Sequence, residues 1–303
     1  MMKRWGALLL CLIAVLSFSA CGKSTQSDKA EESKLKVSVT FNAMKEFVAA
    51  VGRDKVEVST IIPDGTEPHD FEPKAQDLAG LATYKVFVYS GLGMEAWVDD
   101  AVKAAGNAEL VVAEASRGAS AITNTEPEEI EEHGQYDPHI WLSLKGAEIE
   151  VKNIKDALVK ADPANQDYYE DNCSDYVSRL ESLYNEYNEK FRSAGKKSFV
   201  TGHAAFAYLC RDFGLEQNSV EDVFAEGEPS AQQLAELVNY CSENKVTTIF
   251  AEEMASPEVS RTLADEVGAE VNTIYTIESS EDDKTYLERM TENLSRIYDS
   301  LVK

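Results

Sequence analysis

Histidine is the residue type whose positions in this sequence most clearly suggest a chemical site. Only four histidines occur in 303 residues: His69, His133, His139 and His203. Neutral imidazole is a favoured ligand of zinc and of other divalent transition metals. Taken singly, each histidine is more simply explained as a hydrogen-bonded loop or helix-cap residue. The first, third and fourth, however, follow apolar segments in turns bounded by proline or glycine, and this shared setting favours one common metal site.

Short apolar runs rich in β-branched residues predict the strands that carry these histidines. The predicted strands are residues 35–41, 56–62, 84–89 and 110–113 in the first half of the chain, and 198–201, 247–251 and 271–277 in the second half. Helical patterns separate them, and strands that alternate with helices predict parallel sheets. Ligands of open parallel sheets collect at the carboxyl ends of the strands. His69 and His203 follow strands in different halves, so each half is expected to contribute one imidazole to a cleft.

A single long helix is predicted between the two halves. Asp162 and Pro163 have the pattern of a helix start, and apolar residues then keep helical spacing to Ala194 with no internal proline or glycine. Such a helix would be about 45 Å long, and the alternative of two broken helices has no residue to explain the break. The expected fold class is therefore α/β, with two lobes of parallel sheet joined by one long helix and a metal site in the cleft between them. The expected boundaries are 35–161 for the N-terminal lobe, 162–197 for the linking helix and 198–303 for the C-terminal lobe.

The first twenty residues have the pattern of an export signal. Two basic residues precede an apolar run from Trp5 to Phe18. This run is shorter than the roughly 20 residues that a membrane-spanning helix needs, so we predict a signal peptide at residues 1–20. The mature protein is accordingly expected outside the cytoplasm.

The end of this signal resembles the bacterial lipobox, in which a cysteine is lipidated and becomes the mature N-terminus. Small residues precede Cys21, although Phe18 stands where that pattern usually has leucine. A polar stretch follows, and a flexible tether over residues 21–34 suits a domain attached to a membrane. We therefore expect Cys21 to anchor the protein to lipid of the bacterial cell membrane. The alternative is ordinary cleavage after Ala20, with Cys21 incidental.

The charge and the cysteines of the chain limit its partners and its cross-links. The formal net charge is -25 at pH 7, and like-charge repulsion argues against nucleic acid or an anionic membrane as a binding surface. Solubility is the first explanation for most of these carboxylates. Cys173, Cys210 and Cys241 lie in helical patterns without a Cys-x-x-Cys pair, so buried thiols are expected, and a Cys210–Cys241 disulfide stays open as an alternative.

Three motifs extend the histidine pattern into a family resemblance. The sequence around His69 is Gly-Thr-Glu-Pro-His-Asp-Phe-Glu-Pro, that around His139 is Asp-Pro-His-Ile-Trp-Leu, and that around His203 is Gly-His-Ala-Ala-Phe. With Glu228-Pro229-Ser230, they resemble, in this order and over essentially the whole mature chain, the metal-binding solute-binding proteins of bacterial zinc and manganese ABC importers. The resemblance implies two (β/α) lobes bridged by a rigid backbone helix. This agrees with the fold expected from the pattern of strands and helices.

The resemblance also implies a set of metal ligands. His69, His139 and His203 occupy the positions of the family's metal-binding histidines. The fourth ligand is a carboxylate after a late strand, for which Glu278 is expected. Its competitors are a water molecule or one of the nearby acids Glu252, Glu253, Asp282 and Asp283. Glu278 would then be a solvated loop residue.

The third histidine bears on the identity of the metal. Manganese-selective relatives have a carboxylate where this chain has His203, and three nitrogens with one oxygen suit tetrahedral Zn²⁺ better than Mn²⁺. Zn²⁺ is therefore the expected cargo, and a manganese- or iron-binding member is the runner-up. The acidic loop at residues 126–137 corresponds to a histidine-rich loop of many zinc members. His133 is an auxiliary zinc ligand in that reading, whereas a solvated acidic loop explains the segment more simply.

The function that follows from the resemblance is capture and delivery of zinc without catalysis. The expected partner is the permease of the cognate ABC transporter, and the protein is expected to be a monomer. A zinc hydrolase with three histidine ligands and an open water position is the alternative enzyme, although the His-Glu-x-x-His and Gly-x-Ser-x-Gly motifs are absent. An adhesive surface protein is a further alternative for which no dedicated module is visible. Because the ligands must be deprotonated, zinc affinity is expected to fall as the pH drops through the usual histidine range near about 6.5.

Overall fold

Two four-stranded parallel sheets form the framework of the molecule. The first has the strand order β2-β1-β3-β4 and the second has the order β6-β5-β7-β8, so both sheets repeat one topology. Every strand pair in both sheets is parallel. The strands are β1 (Leu35–Val39), β2 (Val56–Thr60), β3 (Val86–Tyr89), β4 (Val111–Glu114), β5 (Ser198–Thr201), β6 (Glu216–Ser219), β7 (Thr248–Glu252) and β8 (Glu270–Ile274).

Helices connect these strands and cover both sheets. The protein is represented by a computed structural model, which describes residues 33–125, 130, 134–223, 230–252, 258–280 and 282–303. The α-helices of these segments are α1 (Asn42–Gly52), α2 (Ala75–Gly80), α3 (Val98–Ala105), α4 (Leu144–Ala161), α5 (Gln166–Ser193), α6 (Ala207–Phe213), α7 (Ala231–Asn244), α8 (Glu258–Val267) and α9 (Tyr286–Val302). Within the described segments, no helix is both long enough and apolar enough to cross a membrane.

The inner strands of the first sheet show why polar groups gather at one edge. Val37 of β1 pairs with Val58 of β2 and with Val86 of β3, and the inner pair Val37 and Val86 is completely buried. Helices on both faces of a parallel sheet remove such strands from water, which explains the continuous apolar sequence of β3. Buried polar residues follow directly where the strands end, at Thr40 after β1 and at Ser90 after β3. The carboxyl edge of the sheet is therefore where chemistry is concentrated.

The long helix predicted between the lobes is present. A 3₁₀ turn at Pro163–Asn165 leads into α5, which has 28 residues and is therefore about 42 Å long. The Asp162 carboxylate accepts hydrogen bonds from the Asn165 amide and the Tyr169 hydroxyl, and it caps no backbone N–H group. The helix buries one stripe of side chains against α1 and α4.

One hydrophobic core runs through both lobes. The same cluster contains Phe47 of α1, Leu180 of α5 and Phe250 of β7. A smaller cluster, with Leu237 and Ile249, lies on the second sheet alone. The two-lobed α/β fold with a long connecting helix is thus confirmed, while the predicted domain boundaries stay predictions.

The three cysteines of the described region are free and buried. Cys173 lies on α5, Cys210 on α6 and Cys241 on α7. Burial raises the pKa of the Cys241 thiol to about 11, so this group is a neutral apolar side chain at ordinary pH.

Candidate metal centre

Four side chains from separate loops converge at the carboxyl edges of the two sheets. One ligand atom from each of His69, His139, His203 and Glu278 lies within 4.8 Å of all the others. His139, His203 and Glu278 are buried, and His69 is half-buried at the rim of the group. Among the described residues, no other group of three or more histidine, cysteine or acidic side chains converges in this way.

His69 lies in the loop between β2 and α2, directly after Pro68. Its Nε2 atom is 3.0 Å from Nε2 of His139. In a tetrahedral zinc site with Zn–N bonds of about 2.1 Å, two ligand nitrogens are separated by about 3.4 Å. The two imidazoles therefore already have nearly the spacing that one shared ion requires.

His139 is held by a carboxylate two residues before it. Asp137 Oδ1 lies 2.9 Å from His139 Nδ1 and also accepts a hydrogen bond of 2.9 Å from the His139 backbone N–H. Such a partner favours the tautomer with the proton on Nδ1, which leaves the lone pair of Nε2 for a metal. Burial lowers the pKa of His139 well below its usual value, so the ring is neutral at physiological pH. Burial also raises the pKa of Asp137 to about 7.

His203 occupies the turn between β5 and α6 and rests on Glu252 at the end of β7. Glu252 Oε1 accepts a hydrogen bond of 3.1 Å from the His203 N–H and lies 3.6 Å from Nδ1. A Cβ atom at Gly202 would collide with Glu252 Oε2, so only glycine lets this carboxylate approach. Burial alone lowers the pKa of His203, but Glu252, with Glu278 and Glu67, outweighs it and raises the pKa to about 9.

The Nε2 atom of the His203 ring has the surroundings expected of a metal-ligand atom. This atom is buried and has no hydrogen-bond partner among the described residues. A buried polar atom without a partner is costly, so such atoms are rare in folded proteins. A metal ion among the four ligand atoms would satisfy this one.

Glu278 follows β8 and is almost fully buried. Its Oε1 atom is 3.9 Å from His139 Nε2, and its Oε2 atom accepts a hydrogen bond of 2.8 Å from the Thr276 hydroxyl. The preceding Ile277 has a φ of 61°, which is a strained conformation for a β-branched residue. This backbone turn directs Glu278 inward, and the alternative of a solvated loop acid does not fit its 4% exposure.

The competing acids have other positions. Glu252 lies beside His203 as its hydrogen-bond partner, and Asp282 pairs with Arg289 at 2.7 Å. Asp283 does not belong to the converging group. Glu253, His133 and Cys21 lie outside the described residues.

Sequence reasoning missed several residues that support the four convergent side chains. Asp137 was visible as a carboxylate two positions before His139. Thr276 lies two residues before Glu278, and no sequence pattern indicated a role for it. Trp141, within the motif around His139, is fully buried with its ring 5.2 Å from that of His139. Trp97 packs against the loop that carries His69, with its ring 6.0 Å from that of Phe71.

Comparison with known proteins agrees with the three sequence motifs and with this geometry. The family model described as ZnuA, zinc-uptake complex component A periplasmic, matches residues 37–300. A putative metal-binding protein of Treponema pallidum (strain Nichols) is 43% identical over 305 residues, covering 98% of this chain and 96% of the relative. The high-affinity zinc uptake system protein ZnuA of Bacillus subtilis (strain 168) is 39% identical over 317 residues, covering 100% of this chain and 99% of the relative.

A solved structure gives the same result for the fold. The Zn(II)-bound ZnuA-like domain of Streptococcus pneumoniae AdcA is similar with a TM-score of 0.77 and 32% sequence identity, covering 89% of this chain and 100% of that domain. The match over residues 37–300 spans both lobes, the connecting helix and all four convergent side chains. The chain therefore belongs to the family of the periplasmic zinc-uptake complex component A.

Proposed function

We propose that this protein is an extracytoplasmic solute-binding protein that captures Zn²⁺ in the cleft between its lobes and delivers it to the permease of an ABC importer. The observation that carries the proposal is the convergence of three imidazoles and one carboxylate within 4.8 Å. The similarity to proteins named for zinc uptake supports the same cargo and the same kind of partner. The ion is the substrate of this protein, and no covalent chemistry is involved.

The proposed ligand atoms are Nε2 of His69, His139 and His203 together with Oε1 of Glu278. Three nitrogens and one oxygen form the tetrahedral set that zinc prefers, whereas manganese favours more oxygen ligands and a higher coordination number. Burial of three of the four side chains supports slow release, because bound zinc is shielded from water. Manganese is accordingly the less favoured cargo.

The residues around the ligands prepare them for binding. Asp137 fixes the tautomer of His139, and Glu252 holds His203 at its backbone N–H and near its Nδ1. Carboxylates behind metal-bound imidazoles raise their basicity and fix their orientation. Binding at neutral pH must also release the proton that the surrounding carboxylates keep on His203.

The zinc-hydrolase alternative requires an open coordination position for water. The distance of 3.9 Å between Glu278 Oε1 and His139 Nε2 supports a carboxylate as the fourth ligand in place of that water. Relatives named for metal binding and zinc uptake further favour a carrier over an enzyme. We therefore propose no catalytic activity.

The attachment of the protein to the membrane is a separate part of the proposal. We infer that residues 1–20 are removed, that Cys21 is lipidated and that the chain acts as a monomer on the outer face of the cell membrane. The lipobox-like sequence before Cys21 supports this inference. Mass spectrometry of the mature N-terminal peptide tests it, and an unmodified cysteine or cleavage at another residue would contradict it.

The decisive experiment is a competitive metal titration of the purified protein and of its Glu278→Ala variant. We expect one tightly bound Zn²⁺ per chain, which an equal concentration of Mn²⁺ does not displace. Zinc-finger peptides bind zinc with about 10–16 kcal/mol spread over four ligands, so loss of Glu278 should weaken binding by about 100-fold. Preferred Mn²⁺ binding would assign another cargo. Unchanged zinc affinity in Glu278→Ala would mean that water is the fourth ligand, and assays of hydrolytic activity would then be the next step.

A further inference from the structure

The segment from Asp137 to Trp141 lies between the two ligand loops of the second lobe. It carries His139, whose side chain is completely buried. Hydrogen bonds join one end of this segment to the helix that follows His203. Others join its opposite end to the loop that carries Glu278. Tyr208 makes the first connection through its hydroxyl group, and Thr276 makes the second through its backbone carbonyl.

Tyr208 connects the segment to the His203 side of the cleft. It lies on α6, five residues after His203, and is completely buried. Its hydroxyl donates a hydrogen bond of 2.6 Å to the carbonyl of Asp137 and accepts one of 3.1 Å from the backbone N–H of Ile122. Asp137 in turn holds Nδ1 of His139. One phenol therefore sets the position of the His139 loop against the helix that follows His203.

Thr276 connects the segment to the Glu278 side. Its carbonyl accepts a hydrogen bond of 2.8 Å from the indole Nε1 of Trp141, and its hydroxyl donates one of 2.8 Å to Glu278 Oε2. Both Thr276 and Glu278 are buried. The carboxylate is thus held, through one residue, to the same first-lobe segment that carries His139.

We propose that Tyr208 and Thr276 are positioning residues that hold His203 and Glu278 in register with His139 across the cleft. The inference rests on the proposed zinc-binding function. Neither residue belongs to the four proposed ligands, and each acts through a ligand or through the partner of a ligand. A metal site loses affinity when its ligands are displaced by fractions of an ångström. Separation of the lobes by a docked permease would lengthen both connections together, and this would take apart the ligand set without a chemical trigger.

The test uses variants that remove one hydroxyl group each and keep nearly the same volume. Tyr208→Phe and Thr276→Val are compared with the wild-type chain and with Tyr169→Phe as the matched control. Tyr169 is also completely buried and donates a hydrogen bond of 2.8 Å to Asp162, but it lies on α5 and outside the site. Zinc affinity is measured by competition with a chelator. The absorption bands of bound Co²⁺ report coordination geometry, and the Tm of the metal-free protein reports folding.

We expect each of the two site variants to weaken zinc binding by about 10-fold or more, as loss of partners behind metal ligands commonly does, and to alter the Co²⁺ spectrum. Tyr169→Phe should lower Tm while keeping the affinity and the spectrum of the wild type. Wild-type zinc affinity and a wild-type Co²⁺ spectrum in either site variant would remove that residue from the proposal. An equal loss of zinc affinity in Tyr169→Phe would mean that the effect is a general loss of stability, and this would contradict the positioning roles. If the wild-type chain itself binds no zinc, the proposed function fails, and this result is distinct from failure of the positioning roles.

Discussion

His139 and His203 are both buried imidazoles with Nδ1 directed at a carboxylate, yet the pKa values of the two rings are shifted in opposite directions. Around His139 the effect of burial dominates, so its pKa is lowered well below the usual value while that of its partner Asp137 is raised to about 7. Around His203 burial has the same sense, but Glu252, Glu278 and Glu67 overcome it and raise the pKa to about 9. One imidazole is therefore ready for a metal, and the other must first lose a proton.

This difference follows from the charges that act on each ring, since the positive charge of His203 adds to burial in lowering the pKa of His139. Asp137 lies 2.9 Å from His139 Nδ1, and burial raises the pKa of this carboxyl group to about 7. His203 lies among several acids at the cleft edge, which stabilise its cationic form as they would stabilise a bound metal ion. We infer that the His203 side holds a positive charge before zinc arrives and exchanges a proton for the ion on binding.

Removal of either imidazole is expected to have the largest effect. His139→Ala and His203→Ala should each weaken zinc binding by about 100-fold or more, because each deletes one of four ligands. Their metal-free forms should differ, since His203→Ala leaves Glu252 and Glu278 without a cation whereas His139→Ala leaves an acid that is easily protonated. Isothermal titration gives the affinities and thermal unfolding gives the stabilities. Wild-type zinc affinity in either variant would remove that histidine from the site.

The pH dependence of zinc binding sharpens the comparison further. Because the pKa of His203 is raised to about 9, each pH unit below that value should cost about tenfold in apparent zinc affinity while one proton is displaced. The pH range in which zinc affinity is expected to fall therefore lies above the usual histidine value near about 6.5. Titrations in buffers of different ionisation enthalpy count the protons released. Zinc affinity that stays constant between pH 7 and pH 8 would mean that His203 is already neutral.

The stability of the metal-free protein should change with pH in the opposite direction. A group whose folded pKa lies above its unfolded value stabilises the fold fully below the unfolded pKa, and this contribution is lost as the pH rises through the folded pKa. For His203 the window runs from about 6.5 to about 9, and the loss is at most about 3 kcal/mol. Denaturant unfolding of the metal-free protein at several pH values measures it. His203→Asn is the control, since it should remove this part of the pH dependence.

Much of the fold was predictable because inner strands such as β3 and β7 are buried and mostly apolar. The strand at Ser198–Thr201 was predicted with its exact bounds, whereas β6 (Glu216–Ser219) was missed. This strand has no apolar residue, and it exists because its backbone pairs with β5 at the sheet edge. The strand predicted to end at Ile277 stops at Ile274, since Tyr275 N–H donates to Asn293 instead.

The convergence of the proposed ligands was predictable and their hydrogen-bond partners were not, for a physical reason. Each of the three histidines lies in a motif of a few consecutive residues, so it can be recognised from the local sequence. Glu252 is 49 residues from His203, and their contact exists only because β5 and β7 are neighbours in the second sheet. Its role beside His203 therefore depends on sheet order, which no local pattern reveals.

Gly202→Ala tests the His203 side without changing any ligand. The added methyl group would collide with Glu252 Oε2 and displace this carboxylate, at a cost of about 1–3 kcal/mol in unfolding free energy. Zinc affinity should fall by about 10-fold, and the pH dependence should flatten because His203 loses its main stabilising charge. Zinc titrations at pH 7 and pH 8 measure both effects. An unchanged pH slope would show that Glu252 does not control the proton on His203.

Trp141→Phe is the matching change on the His139 side and should have the smallest effect on zinc. It keeps an aromatic ring beside His139 but removes the indole N–H that bonds the Thr276 carbonyl at 2.8 Å, so unfolding should become easier by about 1–3 kcal/mol. Zinc affinity should fall by less than about tenfold, since the Thr276 hydroxyl still donates its hydrogen bond to Glu278 Oε2. Because burial, the main cause of the lowered pKa of His139, is unchanged, the pH slope of binding should stay that of the wild type. A flattened slope in this variant, equal to that of Gly202→Ala, would mean that the two sides of the cleft share one proton and are not independent.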